Sequence, residues 1–180
     1  MAGTKKTDNH YLKDKIMLRA SFIGDEPHNV LDCFGGRGEV WAGVDIVTGK
    51  RHGRLPIDIR EDVGFHLHGD NTSYLESLEL SRFTVIDLDA YGVPYEQLKT
   101  VFKRRYKGIV FVTFIQTMMG QLPYGLLEDV GFSREMIQKT PTLFGRRGWE
   151  YFLQWLALNG VKRIEHRSKG RKHYLGFVLD

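Results

Sequence analysis

Asp32, Gly36 and Gly38 lie in the run Asn29-Val30-Leu31-Asp32-Cys33-Phe34-Gly35-Gly36-Arg37-Gly38, which reads as a buried strand ending in an acid and entering a glycine-rich turn. Glycine accepts positive φ without strain and has no side chain to hold a ligand away, so such a turn suits close backbone approach to a small-molecule cofactor. Gly36 and Gly38 would form the cradle, and Glu39 to Trp41 would open the next helix. Spacing alone leaves a plain strand-to-helix loop equally open. A dinucleotide site wants a third glycine three positions after the second, and Trp41 stands there. A carboxylate at Asp32 would also repel a pyrophosphate, whereas it suits a ligand carrying positive charge.

Further acids sit where strands should end. Asp58 lies within the second strand, Asp70 follows the third, and Asp87 and Asp89 close the fourth. Each alone is as readily an ordinary turn or cap residue. In an open α/β sheet, however, ligands bind outside the carboxyl ends of the strands, and one edge would then collect several carboxylates.

The elements that must place these residues alternate along the chain. Leu12, Ile16 and Ala20 space a helix over Tyr11 to Phe22, after nine or so polar, loose residues. Strands follow at Val30 to Phe34, Leu55 to Ile59, Phe65 to His68 and Phe83 to Leu88, with a short helix from Glu39 to Val44. Pro94 suits the first turn of a helix whose apolar face is Leu98, Val101, Phe102 and Tyr106. Ile109 to Ile115 is unbroken apolar sequence, as a central parallel strand requires. Trp149, Phe152, Leu153 and Leu156 mark a helix closed by Asn159-Gly160, and Val161 to His166 and Tyr174 to Leu179 flank a hairpin turn at Ser168-Lys169-Gly170. Strands alternating with helices and ending in an antiparallel pair imply a doubly wound α/β domain over 1–180, with an N-terminal tail and helix over 1–28 and the core over 29–180.

The pattern D-x-F-x-G-x-G, from Asp32 through Phe34 and Gly36 to Gly38, resembles motif I of the class I S-adenosylmethionine-dependent methyltransferases. That resemblance implies S-adenosylmethionine as cofactor. It also implies a Rossmann-like methyltransferase fold, a mostly parallel seven-stranded sheet with helices on both faces and a C-terminal antiparallel hairpin. It assigns Asp32, Phe34, Gly36 and Gly38 to the cofactor, Asp58 to its ribose hydroxyls with Asp45 as rival, and Asp70 and Asn71 to its adenine. A second stretch, Asp87-Leu88-Asp89-Ala90-Tyr91-Gly92-Val93-Pro94, resembles motif IV of methyltransferases acting on exocyclic amines, nearest to the D-x-D-P-[FY]-G-x-P pattern of tRNA guanine-N2 dimethyltransferases. By that resemblance Asp89 accepts the amine with the Ala90 carbonyl, Tyr91 stacks on a flipped or unpaired base, and Asp87 supports the cofactor or the turn. Ala90 stands where that family has proline. Tyr91-Gly92 with Pro94 also reads as a tight strand-to-helix turn.

Composition bounds the alternatives. At 180 residues with 42% hydrophobic and 27% charged content, the chain suits a globular domain. The longest apolar run is too short to span a bilayer, no signal peptide is visible after Lys5 and Lys6, and the cytoplasm is the default expectation. The single cysteine, Cys33, excludes an internal disulfide and reads as apolar filler. His66 and His68 would share one strand face, but without further ligands a metal site is not expected. A net charge of +4 favours acidic partners, with basic clusters at Lys50-Arg51-Arg54, Lys103-Arg104-Arg105-Lys107, Arg146-Arg147 and Arg167 to Lys172. The second cluster reads as a solvated helix face; the others could meet phosphates. Thr113 to Met119 and the loop from Pro141 to Gly148 would help wall an acceptor pocket. Methylation of a nucleobase amine in RNA is the leading expectation. Its rivals are DNA, protein or small-molecule acceptors, and a non-catalytic methyltransferase-like binding subunit.

Overall fold

The computed structural model describes residues 11–63, 67–116 and 122–180, with residues 142–144 as backbone only. Its strands are β1 (Asn29–Asp32), β2 (Gly53–Asp58), β3 (Leu67–His68), β4 (Val85–Leu88), β5 (Gly108–Ile115), β6 (Glu165–Lys169) and β7 (Lys172–Leu179). They form one sheet in the order β3-β2-β1-β4-β5-β7-β6. β1 pairs in parallel with β2 and β4, β2 with β3, and β4 with β5, while β7 runs antiparallel to both β5 and β6. This is the expected mostly parallel sheet with a C-terminal antiparallel pair, and the order reverses between β1 and β4, where open α/β sheets bind ligands.

The helices are α1 (Leu12–Ile23), α2 (Glu39–Thr48), α3 (Asn71–Ser77), α4 (Tyr95–Lys103), α5 (Tyr124–Asp129), α6 (Arg134–Lys139), α7 (Pro141–Arg146) and α8 (Gly148–Leu158). Alternation along the central strands divides the core. Val30, Val85 and Phe111 pack with Ile23, Trp41 and Val44 beneath α1 and α2. Leu31, Ile86, Leu88, Val110, Val112 and Phe114 face the larger opposite core, to which α4 and α8 contribute Leu98, Val101, Phe152, Trp155 and Leu156. Removing each such side chain from water stabilises the fold by about 1.5–3 kcal/mol, which explains the unbroken apolar run of β5. At Gly43 a Cβ would collide with the Ile16 side chain, so this glycine permits the close contact of α1 with α2.

Several boundaries differ from the sequence reading for identifiable reasons. The hairpin turns at Gly170-Arg171, with Gly170 at φ 61, so Ser168 and Lys169 belong to β6 and not to the turn. Tyr106 lies beyond the end of α4, buried at 5%, its hydroxyl donating to the Phe83 carbonyl at 3.2 Å. Arg104 is not part of a solvated face: its guanidinium donates to the carbonyls of Leu75, Glu76 and Leu78 and closes the end of α3. Of the third-strand reading, Phe65 and His66 lie outside the described residues, as do residues 1–10 and the wall residues 117–121. Pro141 to Gly148 is helix α7 and the start of α8, not a loop.

Candidate active site at the carboxyl edge of the sheet

Where β1 ends, the chain turns through Gly36 (φ 49) and Gly38 (φ 71) into α2. These two left-handed residues are the positions where an L side chain would be strained. Backbone bonds fix the loop: the Cys33 N–H donates to the Asp87 carbonyl at 2.9 Å, the Gly35 N–H to Ile57 at 3.0 Å, and the Gly38 N–H to Gly35 at 2.8 Å. The last residue of β2, Asp58, accepts from the Gly36 N–H and the Arg60 N–H, each at 2.9 Å. The structure therefore brings Asp58 to the glycine loop. Its rival Asp45 lies in α2, accepting from the His52 N–H at 3.1 Å and pairing at 3.4 Å with Arg54, whose guanidinium also lies beside Gly38.

Asp70 caps α3, accepting from the Ser73 N–H at 2.8 Å and its hydroxyl at 3.0 Å. Beside it Asn71 is 7% exposed, and its Oδ1 has no partner among the described residues. A buried amide oxygen without a donor is costly unless something else supplies one.

A buried cluster of charge lies under α1. Asp32 and Asp87 are 5% and 1% exposed on adjacent strands, opposite each other in register. Arg19, 1% exposed, reaches down from α1 and grips Asp87 with both prongs, Nε to Oδ2 at 2.7 Å and Nη2 to Oδ1 at 2.6 Å. The Trp41 indole N–H donates to the same Oδ2 at 2.7 Å. The guanidinium lies 5.2 Å from the Phe111 ring and donates to the Lys15 carbonyl at 3.1 Å. Asp87 thus faces α1 and α2, with both oxygens held by protein donors.

One turn earlier on α1, Lys15 Nζ bonds Asp89 Oδ2 at 2.8 Å, and the Thr113 hydroxyl of β5 donates to Oδ1. The two paired side chains are 13% and 12% exposed. Burial works to raise the pKa of Asp89, but the charges of Lys15 and Arg19 outweigh it and hold the carboxyl below its ordinary value. Asp32 goes the other way. Burial, then the nearby Asp87 and Asp89, push it well above the usual carboxylate range, against the pull of Arg19 and a hydrogen bond from the Phe34 backbone. Burial with these acids also raises the Cys33 thiol, which leaves it a packed, protonated side chain.

The chain then leaves β4 through Ala90, 7% exposed, and Tyr91, 65% exposed, before Pro94 and α4. The Ala90 N–H donates to Leu88 at 2.8 Å, and Ile115 at the end of β5 donates to the Gly92 carbonyl at 2.8 Å. Asp89, Ala90 and Tyr91 therefore stand together one strand over from the glycine loop.

Sequence reasoning missed Lys15 and Arg19. Their spacing of four residues, placing two cations one turn apart on a helix with apolar neighbours, was the available signal. Among the described residues no group of three or more His, Cys, Asp or Glu side chains could hold a metal ion, and no helix is long and apolar enough to cross a membrane.

No family model matches the chain, and no curated protein matches it in sequence. Solved structures do resemble it. A ribosomal protein L11 methylase from Lactobacillus delbrueckii subsp. bulgaricus superposes with a TM-score of 0.56 at 16% identity, covering 96% of this chain and 80% of that one. TYW2 from M. jannaschii, in complex with AdoMet, gives 0.53 at 13% identity over 97% and 77%. Magnesium protoporphyrin IX methyltransferase from Synechocystis, with bound SAH, gives 0.52 at 12% identity over 96% and 83%. With the strand order and the glycine loop, these likenesses establish that the chain has the Rossmann-like fold of the methyltransferases.

Proposed function

We propose that the protein is an S-adenosylmethionine-dependent methyltransferase that modifies an exocyclic amine of a nucleobase in RNA. The observation that carries the reading is Asp89, ionised by Lys15, oriented by Thr113 and followed by Ala90 and the exposed Tyr91, at the strand tip beside the glycine loop. Two of the solved neighbours contain AdoMet or SAH. The neighbours as a group, a ribosomal protein methylase and a protoporphyrin methyltransferase among them, differ too widely in acceptor to name this chain's own.

The residues fit the cofactor. Gly36 and Gly38 put no side chain at two points of the loop, Asp58 offers a carboxylate to hydroxyl groups, and Asn71 Oδ1 offers an acceptor without a donor to an adenine amine. Phe34 and Asp70 would flank it, and Asp32 and Asp87 would support the loop from beneath. The surroundings of Asp32 favour its protonated form more than water does, and an arriving cation would favour the carboxylate. S-adenosylmethionine, when bound, supplies an electrophilic methyl group on a sulfonium.

An aromatic amine is a weak nucleophile because its lone pair is delocalised, so the protein must align it and accept hydrogen bonds as positive charge develops. A carboxylate has about four lone-pair sites, so Asp89 keeps capacity for the amine beyond Lys15 and Thr113. Its low pKa makes it an electrostatic acceptor and not a strong base. The Ala90 carbonyl would take the second amine hydrogen, and Tyr91 would stack on the base.

Lys15 seated on Asp89 Oδ2 also favours a second reading, in which the fold binds the cofactor without turnover. Incubation with methyl-labelled cofactor and fractionated RNA, DNA and protein decides between them. Label in RNA that Asp89→Ala abolishes, with cofactor affinity unchanged, supports the proposal. Label in protein or DNA alone overturns the RNA acceptor, and no label in any fraction overturns the enzyme.

A further inference from the structure

At the same edge of the sheet, on the face covered by α8, three rings form a stack. The Trp149 indole lies 4.0 Å from the His173 ring at an interplanar angle of 11°, and 4.7 Å from the His166 ring at 27°. The two imidazoles are 5.2 Å apart, too close to lie on opposite faces of the indole. They lie side by side on one face of it, joined edge to edge by a hydrogen bond of 3.0 Å between His166 Nε2 and His173 Nδ1. Phe114 and Phe152, both fully buried, root the stack in the core. His173 sits opposite Phe114 in register, next to the Thr113 that bonds Asp89. His166 is exposed on the edge strand, while His173 and Trp149 are half-buried.

The hairpin carrying these histidines is rich in cations. Arg167 and Lys169, opposite Tyr174 and Lys172 in register, leave the other face of this edge strand, Arg171 lies in the turn, and Lys162 and Arg163 precede β6; none of the five forms an ion pair among the described residues, in contrast to Arg54 and Arg147, which pair with Asp45 and Glu150. Unneutralised cations around the free edge of the sheet, with a flat stack of rings on one face of that edge, match the chemistry of a single-stranded nucleic acid crossing it, in which phosphates meet the charges and an unstacked base meets the rings. Partial desolvation within the stack lowers the pKa of His166 and, with the neighbouring His166 charge, holds His173 down to about 4, which favours neutral rings. Their faces therefore present π surface and not like charge beside the basic residues. A membrane surface would instead need an apolar flank, and the surroundings here are polar and basic.

We infer that the His166–His173–Trp149 stack and the basic β6–β7 hairpin form a grip for single-stranded RNA, a base stacking on the imidazole pair and the flanking phosphates lying on the hairpin cations. The grip rests on the reading of RNA as acceptor but uses none of the transfer chemistry, so binding alone tests it.

The experiment is fluorescence anisotropy with a labelled short single-stranded RNA and an abasic strand of equal charge. Base–ring stacking is worth about 1–3 kcal/mol, so removing the bases, or replacing His166→Ala, should each weaken binding by about 5- to 150-fold. The variant should no longer distinguish the two strands, and His166→Phe should restore the difference. Lys169→Ala should weaken both strands alike and lower the salt slope by about 1. Trp149 fluorescence should be quenched by the base-bearing strand, while Trp41 and Trp155, 0% and 1% exposed, stay unchanged. Equal wild-type affinity for both strands, or His166→Ala binding as wild type does, overturns the grip and leaves RNA as acceptor standing. No binding to RNA even at low salt overturns both.

Discussion

Arg19→Met is the perturbation whose consequence follows most directly from the coordinates. The side chain is 1% exposed and bonds both oxygens of an equally buried Asp87, at 2.7 and 2.6 Å. Methionine fills much of the volume but strands the carboxylate, with the Trp41 N–H as its remaining side-chain donor. Removing one partner of a buried pair costs about 3–5 kcal/mol, because the other charge stays desolvated. A domain of this size loses about 2–4 °C of Tm per kcal/mol, so the variant should melt about 6–20 °C lower. Against a total stability of about 5–15 kcal/mol, that leaves a folded but weakened protein. Urea unfolding followed by circular dichroism and tryptophan fluorescence supplies the free energies. Adding Asp87→Asn removes the stranded charge yet keeps an oxygen for Trp41, so the double variant should be more stable than Arg19→Met alone, with a coupling energy of at least about 2 kcal/mol. A loss below about 1 kcal/mol, the range of an exposed pair, or a double variant no better than the single, would refute the reasoning.

Asp32→Asn should raise stability at neutral pH: the folded carboxyl keeps its proton to higher pH than the unfolded one, so wild-type stability falls as pH rises from about 4 through the raised folded value. The same variant should bind S-adenosylmethionine more weakly, and a stability gain confined to acid pH would contradict the account. Lys15→Met should move the acid limb of kcat/KM to higher pH, since burial then acts on Asp89 without its strongest counter-charge, whereas Lys15→Arg should restore it. An unmoved limb with reduced kcat would leave Lys15 a packing residue only. His173, held down to about 4, has a folded pKa below its unfolded one, so its contribution is intact above about 6.5 and is lost as pH falls from there to about 4. Thermal melts of His173→Asn should show a flatter acid profile, and an identical profile would remove the histidine from that role.

The parts of the fold that sequence made visible are those set by local pattern. β5 shows as an apolar run because both its faces are buried, and α8 shows because Phe152 and Leu156, spaced by four, line one buried stripe. The glycine loop was readable because Gly36 and Gly38 adopt conformations that other residues resist. α3 and α6 were not, for at seven and six residues they are too short for a period and are defined by single caps, Asp70 and Ser133. Arg19 could not be seen as buried, since its partner lies 68 positions away. Asp58 and Asp45 were separable only once the Gly36 N–H was found on Asp58, a contact between residues 22 positions apart. Arg104 read as solvated because its partners are backbone carbonyls of another helix, which leave no mark in side-chain pattern.

Calorimetric titration of the wild-type protein with S-adenosylmethionine and S-adenosylhomocysteine addresses the central claim most directly. One site per chain is expected for each, with affinity lost in Asp58→Asn. Absence of heat with both molecules, in a protein shown by circular dichroism to be folded, would contradict it.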